Sequence, residues 1–433
     1  MERHNFHSIA IERYSIAKFG FNPKKHSSMK IIAKSFLLVL ISILWNCGSS
    51  ETDYIDPRGK TFAGSESCME CHPKIYNEAL KTSHYKSSAV ASLKNVLGDF
   101  SHGHNTYIYD KDTKIVMENR NNELFQVYYK NGKEVKAYRF DIVMGAKNAQ
   151  TSLFWDKENV YELPLSYYST VNNWGTSPGF PRNQPYFDSP VTTVCFECHS
   201  SNLELKHKNT DSENYFGTEM KLEPMKKESL VLGIDCERCH GPAKEHVDHH
   251  QKNPELKVAK YIVSHKSLSA QQKLVGCVIC HSAAENLQSR FKFVPGNSMA
   301  DFYDESALNA NINLDVHGNQ FGLLSQSKCF IKSKTLDCTS CHNSHNVETE
   351  SISKQSEKCM SCHSEVKKNF CTSKVPKGVV LKDNCIDCHM PKKESAVIGF
   401  YLSGKSEMSP YLLRTHKIGI YSGETHKTVS KLN

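Results

Sequence analysis

Seven copies of Cys-x-x-Cys-His run through this chain of 433 residues, and no other feature so limits what it can fold around. They comprise Cys68, Cys71 and His72; Cys195, Cys198 and His199; Cys236, Cys239 and His240; and Cys277, Cys280 and His281. The remaining three are Cys338, Cys341 and His342; Cys359, Cys362 and His363; and Cys385, Cys388 and His389. Two thiols at this spacing can add across the two vinyl groups of one porphyrin. The next residue, His, then lies under the ring with its imidazole on the iron. The pattern is the attachment signature of haem c, so the chain is read as holding seven covalent haems, each on two Cys and one proximal His. Paired Cys-x-x-Cys motifs also build tetrahedral zinc sites, and a single one serves as a redox dithiol. Neither use requires His directly after the second Cys, and here every copy has it.

Only 39% of the residues are hydrophobic, little for a chain of this length. Porphyrin faces supply apolar surface that side chains otherwise would. The expectation is therefore a mainly α or irregular multihaem cytochrome fold, with a cofactor-filled core, little regular structure and a small β-rich insert. The formal net charge is +8 without cofactors. Seven haems bring about fourteen propionates, which draw on the Lys and Arg excess. A basic chain can also bind nucleic acid. No long Lys/Arg block and no nucleic-acid motif is present, so no such partner is expected.

Seventeen Cys less the fourteen in motifs leave Cys47, Cys329 and Cys371. Covalent haem attachment takes place outside the bacterial cytoplasmic membrane, so export is required. From Met29 a charged start leads into an apolar run, Ser35 to Trp45, then Cys47 and a polar stretch. This resembles a lipoprotein signal peptide, and the run is shorter than the roughly 20 residues of a stable span. Asn46 departs from the small residue usual before a lipidated Cys, so simple secretion stands as the alternative. Cys329 and Cys371 then form an even pair, expected as a disulfide worth about 3–4 kcal/mol; two separate buried thiols are the other reading.

The chain divides as follows. Residues 1–28 are an upstream extension, with Met29 the expected start, 29–47 a signal peptide and 48–62 a tether. Residues 63–104 form the first haem-binding segment, and 105–175 a β-rich insert without haem. Residues 176–422 are the haem-rich domain with the other six motifs, and 423–433 a disordered tail. In the insert, Tyr107 to Tyr109, Ile115 to Met117 and Leu124 to Tyr129 are strand-like, and Tyr138, Phe140, Ile142 and Met144 alternate with Arg139 and Asp141. Asn131-Gly132 between two such runs signals a tight hairpin. Glu162 to Tyr168 closes the set.

The second axial ligand separates relay from chemistry. An iron with two His ligands passes electrons, and an open iron can bind a small molecule. Twelve further His lie beyond the signal. His345 follows His342 too closely to reach the opposite face of the same ring, so it would serve another iron and bring two haems together. His246 follows Cys239 and His240 by the same logic, with His249 and His250 a helical turn beyond as competitors. His84 follows a helix predicted over Pro73 to Leu80, on which Ile75, Ala79 and Leu80 recur at helical spacing. His317 and His416 are further candidate ligands, and His104 is preferred to His102. His207, His265 and His426 read as solvated, one of them being a candidate seventh ligand. Met390 cannot reach the iron of His389 and reads as a turn residue.

Several segments together resemble the multihaem cytochromes of the cytochrome c-554 family. They are Gly64 to Cys68 with His84, Glu162 to Leu165, Trp174 to Phe180, Cys236 to Pro242 with His246, Cys338 to His345, and Cys385 to Pro391. The resemblance covers roughly residues 60–418. It implies bis-His haems packed in pairs and an electron-transfer role. His84, His246 and His345 match ligand positions of that family; His104, His317 and His416 match less closely. Many members of that family continue into tetratricopeptide repeats, whereas the sequence here runs to Asn433, and some tetrahaem members hold one five-coordinate haem.

The leading expectation is a heptahaem cytochrome relaying electrons between redox donor and acceptor proteins of the bacterial cell envelope. It would lie in the periplasm or outer envelope, lipid-anchored at Cys47 or secreted as a soluble periplasmic protein. The alternative is a multihaem oxidoreductase acting on a nitrogen or sulfur compound at one open haem. The Lys that replaces the motif His in ammonifying nitrite reductases is absent here. A third class is a haem-stabilised binding or scaffolding module built around the insert.

Overall fold

The structure, a computed structural model, describes residues 55–423 apart from 208–211, 216–217, 283–286, 305–313, 334, 348–350, 365–369 and 374–379. The signal segment, Cys47, residues 48–54 of the tether and His426 lie outside the described residues.

In chain order the first strands are β1 (Ser88–Val90), β2 (Thr106–Ile108), β3 (Thr113–Arg120), β4 (Glu123–Lys130) and β5 (Lys133–Arg139). There follow β6 (Ile142–Met144), β7 (Ala149–Asp156), β8 (Asn159–Glu162), β9 (Leu165–Tyr168), β10 (Asn173–Thr176) and β11 (Ser189–Val191). Strands β2 to β5 form a four-stranded antiparallel meander. Its β4–β5 turn is Asn131-Gly132, with φ of 52° and 74°. Both residues adopt left-handed backbone, as the tight primed turn requires. A seven-stranded sheet runs β1-β6-β7-β8-β11, with β9 beside β7 and β10 beside β9.

The two sheets share a core. Trp174, Phe140, Leu163 and Leu165 pack with Ile115 and Met117 from alternate positions of β3. Trp174 is seated by Gly98, where a Cβ would stand 2.1 Å from the indole ring. A second core matters more for function. Ile142, Met144, Leu153, Val160 and Val191 close over Phe196, which lies between the cysteines of the second motif and is fully buried. Burying such a ring contributes roughly 2–3 kcal/mol, so the sheet anchors that motif directly. A third cluster joins Leu274, Val275, Val278 and Ile279 of the helix Ala270–His281 to Phe293, Phe302 and Tyr303. That helix begins with a Ser269/Gln272 capping box.

The chain is β-rich, which corrects the expectation of a mainly α or irregular fold with little regular structure. Strands start before residue 105 and persist beyond 175. Ser200–Leu205 pairs with Met225–Leu232, and Lys392–Phe400 with Ser409–Arg414. The C-terminal hairpin docks on β9 and β10 through Phe400 stacked on Tyr168 at 3.7 Å and Thr176 N donating to Tyr401 O at 3.0 Å. The reason is partly length: β1 and β11 have three residues each, too few to show alternation. It is partly polarity, since Met225–Leu232 carries consecutive Lys226, Lys227 and Glu228 and reads as a connector. Helices are short, and several are the motifs themselves, as in Thr193–His199, Cys236–His240 and Cys385–His389. The helix after the first motif spans Pro73–Ala79, but its buried side chain is Tyr76, while Ile75 is exposed. Among the described residues no helix is long and apolar enough to cross a membrane.

A second correction concerns the expected disulfide. Cys329 and Cys371 are both free thiols, the first half-buried and the second exposed. Counting thiols gives parity but not position. Cys329 lies on the short helix Lys328–Lys332, close enough to Cys341 and Cys359 to influence their ionisation.

Candidate haem centres

Each motif is a tight turn whose first amides need acceptors, and the residue before the first Cys often supplies one. Asp235 accepts from Arg238 N at 2.8 Å, Asp337 from Ser340 N at 3.1 Å, and Asn384 from Asp387 N at 3.1 Å. These N-caps hold the motif in the helical form that turns both cysteines to one side.

The motifs touch one another. Sulfurs lie within hydrogen-bonding reach in four pairs from different motifs: Cys68 with Cys236, Cys198 with Cys280, Cys277 with Cys338, and Cys359 with Cys385. In each pair this contact lowers the pKa of one thiol against its burial: Cys236 and Cys198 to about 7, Cys385 to about 6, and Cys338 likewise downward. Polar bonds complete the series. Arg238 of the third motif donates to Glu197 O of the second at 3.2 Å. Arg290 pairs with Glu197 at 3.1 Å and also bonds Ile279 O, tying the second motif to the fourth. Lys358, just before the sixth motif, donates to Cys341 O of the fifth at 2.5 Å. Arg414 fastens the C-terminal hairpin to Asp387 of the seventh at 2.6 Å. The contacts therefore run first, third, second, fourth, fifth, sixth, seventh, an unbroken line that differs from sequence order.

Three of the motif imidazoles are oriented by a bond at Nδ1, as metal-binding imidazoles are. A carbonyl oxygen can only accept, so a ring nitrogen bonded to one must donate and leaves the other basic. Nδ1 of His389 lies 2.7 Å from Gly419 O, that of His199 3.3 Å from Ser87 O, and that of His281 3.3 Å from Gln320 Oε1. His246 shows the same arrangement, with Nδ1 2.9 Å from Lys260 O. Burial, and after it nearby His84, lower the pKa of His281 to about 4. Burial with His265 and His345 does the same for His240, also to about 4. Such rings are neutral and ready to bind metal near pH 7.

Several further His face proximal ones. Two imidazoles on one iron, each about 2 Å from the metal with its ring centre about 1 Å behind, have centres about 6 Å apart. His84 and His281 are 6.2 Å apart, His342 and His416 6.2 Å, and His240 and His345 5.8 Å. His317 is near enough to His199 to depress its pKa, after burial and against the Ser87 bond. His72 and His246 both act on His240, which places them in the same cluster. His246 lies 4.7 Å from His250, and the Nε2 atoms of His249 and His250 are buried without a hydrogen-bond partner. Gln251, next on that helix, reaches Glu70 of the first motif at 3.5 Å. His102 and His104 are exposed in a turn, where His104 acts on Asp99. His363 is exposed, and His207 lies beside Glu158. His265, read from sequence as a solvated loop residue, instead lies 5.0 Å from His240 with Nε2 3.4 Å from Cys239 O. No local signal in Ser264-His265-Lys266 pointed to this.

Among the described residues no group of three or more His, Cys, Asp or Glu side chains is placed to hold a metal ion. The donor set suits haem, which supplies four equatorial nitrogens and asks the protein for one or two axial imidazoles. No family model and no curated protein matches the chain. Among solved structures the chain is similar to an outer cell wall cytochrome, OcwA, with 15% identity and a TM-score of 0.48, over 86% of this chain and 82% of that one.

Proposed function

We propose that this chain is a multihaem c-type cytochrome that relays electrons in the cell envelope. Fourteen motif cysteines would hold seven haems, with His72, His199, His240, His281, His342, His363 and His389 as proximal ligands. The observation that carries the reading is the spacing of opposed imidazoles, 5.8 to 6.2 Å at three proximal His, which fits one iron between two rings. On that spacing His84, His345 and His416 are distal ligands, and His317 serves His199. Haem supplies a one-electron couple at iron. The residues of this chain would set neighbouring sites in series through the Cys68/Cys236, Cys198/Cys280, Cys277/Cys338 and Cys359/Cys385 contacts together with the Arg238–Glu197 and Lys358–Cys341 bonds. Electrons would pass between donor and acceptor proteins at the two ends of that line. The cytochrome c-554 resemblance, envelope location and anchoring through Cys47 belong to the same proposal.

Carbon monoxide added to the reduced protein tests it. Bis-His irons leave the spectrum unchanged. A shift for one haem would identify an open iron and move the reading to an oxidoreductase.

A further inference from the structure

Most of the buried acids are paired with a cation, the exception being Asp337, which is held by Thr339 and Ser340. Asp56, Asp235 and Glu237 share Arg58, and Glu197 has Arg290. Glu162, partly buried at the end of β8, has no cation among its described partners. Its carboxylate accepts from Thr151 Oγ1 at 2.8 Å. Thr151 Oγ1 accepts from Ser166 Oγ at 2.9 Å, and Ser166 Oγ meets Ser177 Oγ at 2.8 Å. Ser177 in turn donates to Leu163 O at 2.7 Å. Ser166 and Ser177 are both buried. An acid in a cage of hydroxyls, with no positive charge, is an acid placed to gain and lose a proton.

The cage adjoins the second motif. Glu162 pairs across the sheet with Ser189 of β11, and that strand leads straight into Thr193–His199. The charge of Glu162 is felt at the Cys195 sulfur, whose pKa burial and then Glu162 push up to about 11. Tyr168 of β9, whose pKa burial and then Glu162 raise, donates its hydroxyl to Thr176 O at 2.8 Å, and Glu223, outside these elements, accepts from Thr193 N and Oγ1; Asp156, Tyr161, Tyr167 and Glu197 are further titratable groups on the elements around Glu162. Burial pushes Glu162 itself up to about 7, against the pull of Thr151 and Ser177.

We propose that Glu162 is a proton-binding site coupled to electron uptake at the second motif; this rests on the haem reading above. Uptake of one electron at the centre held by Cys195, Cys198 and His199 is balanced by one proton bound to the Glu162 carboxylate. The electron comes from a neighbouring centre of the line, and the proton from solvent at the partly exposed Glu162. The added charges cancel, and oxidation reverses both transfers. The coupling lets the local pH set how readily this one centre fills.

The test is potentiometry on the intact holoprotein between pH 5.5 and 8.5, paired with redox-difference infrared spectroscopy. One centre should lower its midpoint with rising pH, approaching 59 mV for each tenfold change in proton concentration. A protonated-carboxylic-acid carbonyl band should grow on reduction. Glu162→Gln should remove both the slope of that centre and the band, and leave the other centres unchanged. An unchanged slope in Glu162→Gln overturns the proposal, because other carboxylates then carry the proton. The wild-type spectrum decides even if the variant misfolds: no such band on reduction also overturns it. Failure of the haem reading looks different, since no redox centres would titrate at all.

Discussion

Arg58 offers the sharpest stability test. Its side chain is 5% exposed and meets Asp56 at 2.8 Å, Asp235 at 2.7 Å and Glu237 at 3.2 Å. Arg58→Ala leaves three buried carboxylates without their only described cation. Removing one partner of a buried ion network costs about 3–5 kcal/mol. The lower end applies, because Glu237 keeps the Ala63, Gly64 and Ala243 amides and Asp235 keeps Arg238 N. We expect a loss of about 3 kcal/mol in urea unfolding at pH 7, followed by circular dichroism. Burial alone would raise Asp56, yet its bonds to Arg58 hold it below 3.8. A carboxylate with a depressed folded pKa contributes stability that is present above its unfolded value and lost as pH falls through the folded one. The difference between wild type and variant should therefore shrink in acid. A loss under about 1 kcal/mol at pH 7, or a gap that widens below pH 4, would refute the reasoning. The residue also bears on function, since segment 56–64 is what brings the first motif against the third.

Other outcomes follow from the same geometry. His84→Ala should open the iron opposite His281, so carbon monoxide shifts the reduced spectrum of one haem only; no shift would mean that His84 is not its ligand. Glu162 has a folded pKa near 7 against an ordinary 4.5. Its protonated form is favoured by folding, so its burial costs nothing in acid and most above pH 7. Glu162→Gln should therefore raise stability by about 3 kcal/mol at pH 8 and by little at pH 4, read in urea unfolding at both values.

Local chemistry was legible in the sequence, and non-local placement was not. The Cys-x-x-Cys-His spacing is set by covalent chemistry, so seven candidate attachment sites can be read without a fold. Asn131-Gly132 announces its turn because few residues accept left-handed backbone at two successive positions. The short step from His342 to His345 forbids both from facing one iron, but nothing local says that His240 lies opposite His345. His265 shows the same limit: its place beside His240 is set by how the chain returns, not by its neighbours in sequence. The β content was underestimated because three-residue strands carry no period, and because the apolar side of a hairpin such as Met225–Leu232 is hidden among lysines.

Intact-mass measurement of the mature protein reaches the central claim most directly. Seven covalent haems add about 616 Da each to the polypeptide. Seven such increments are the predicted result, and a mass equal to the bare chain would contradict the account.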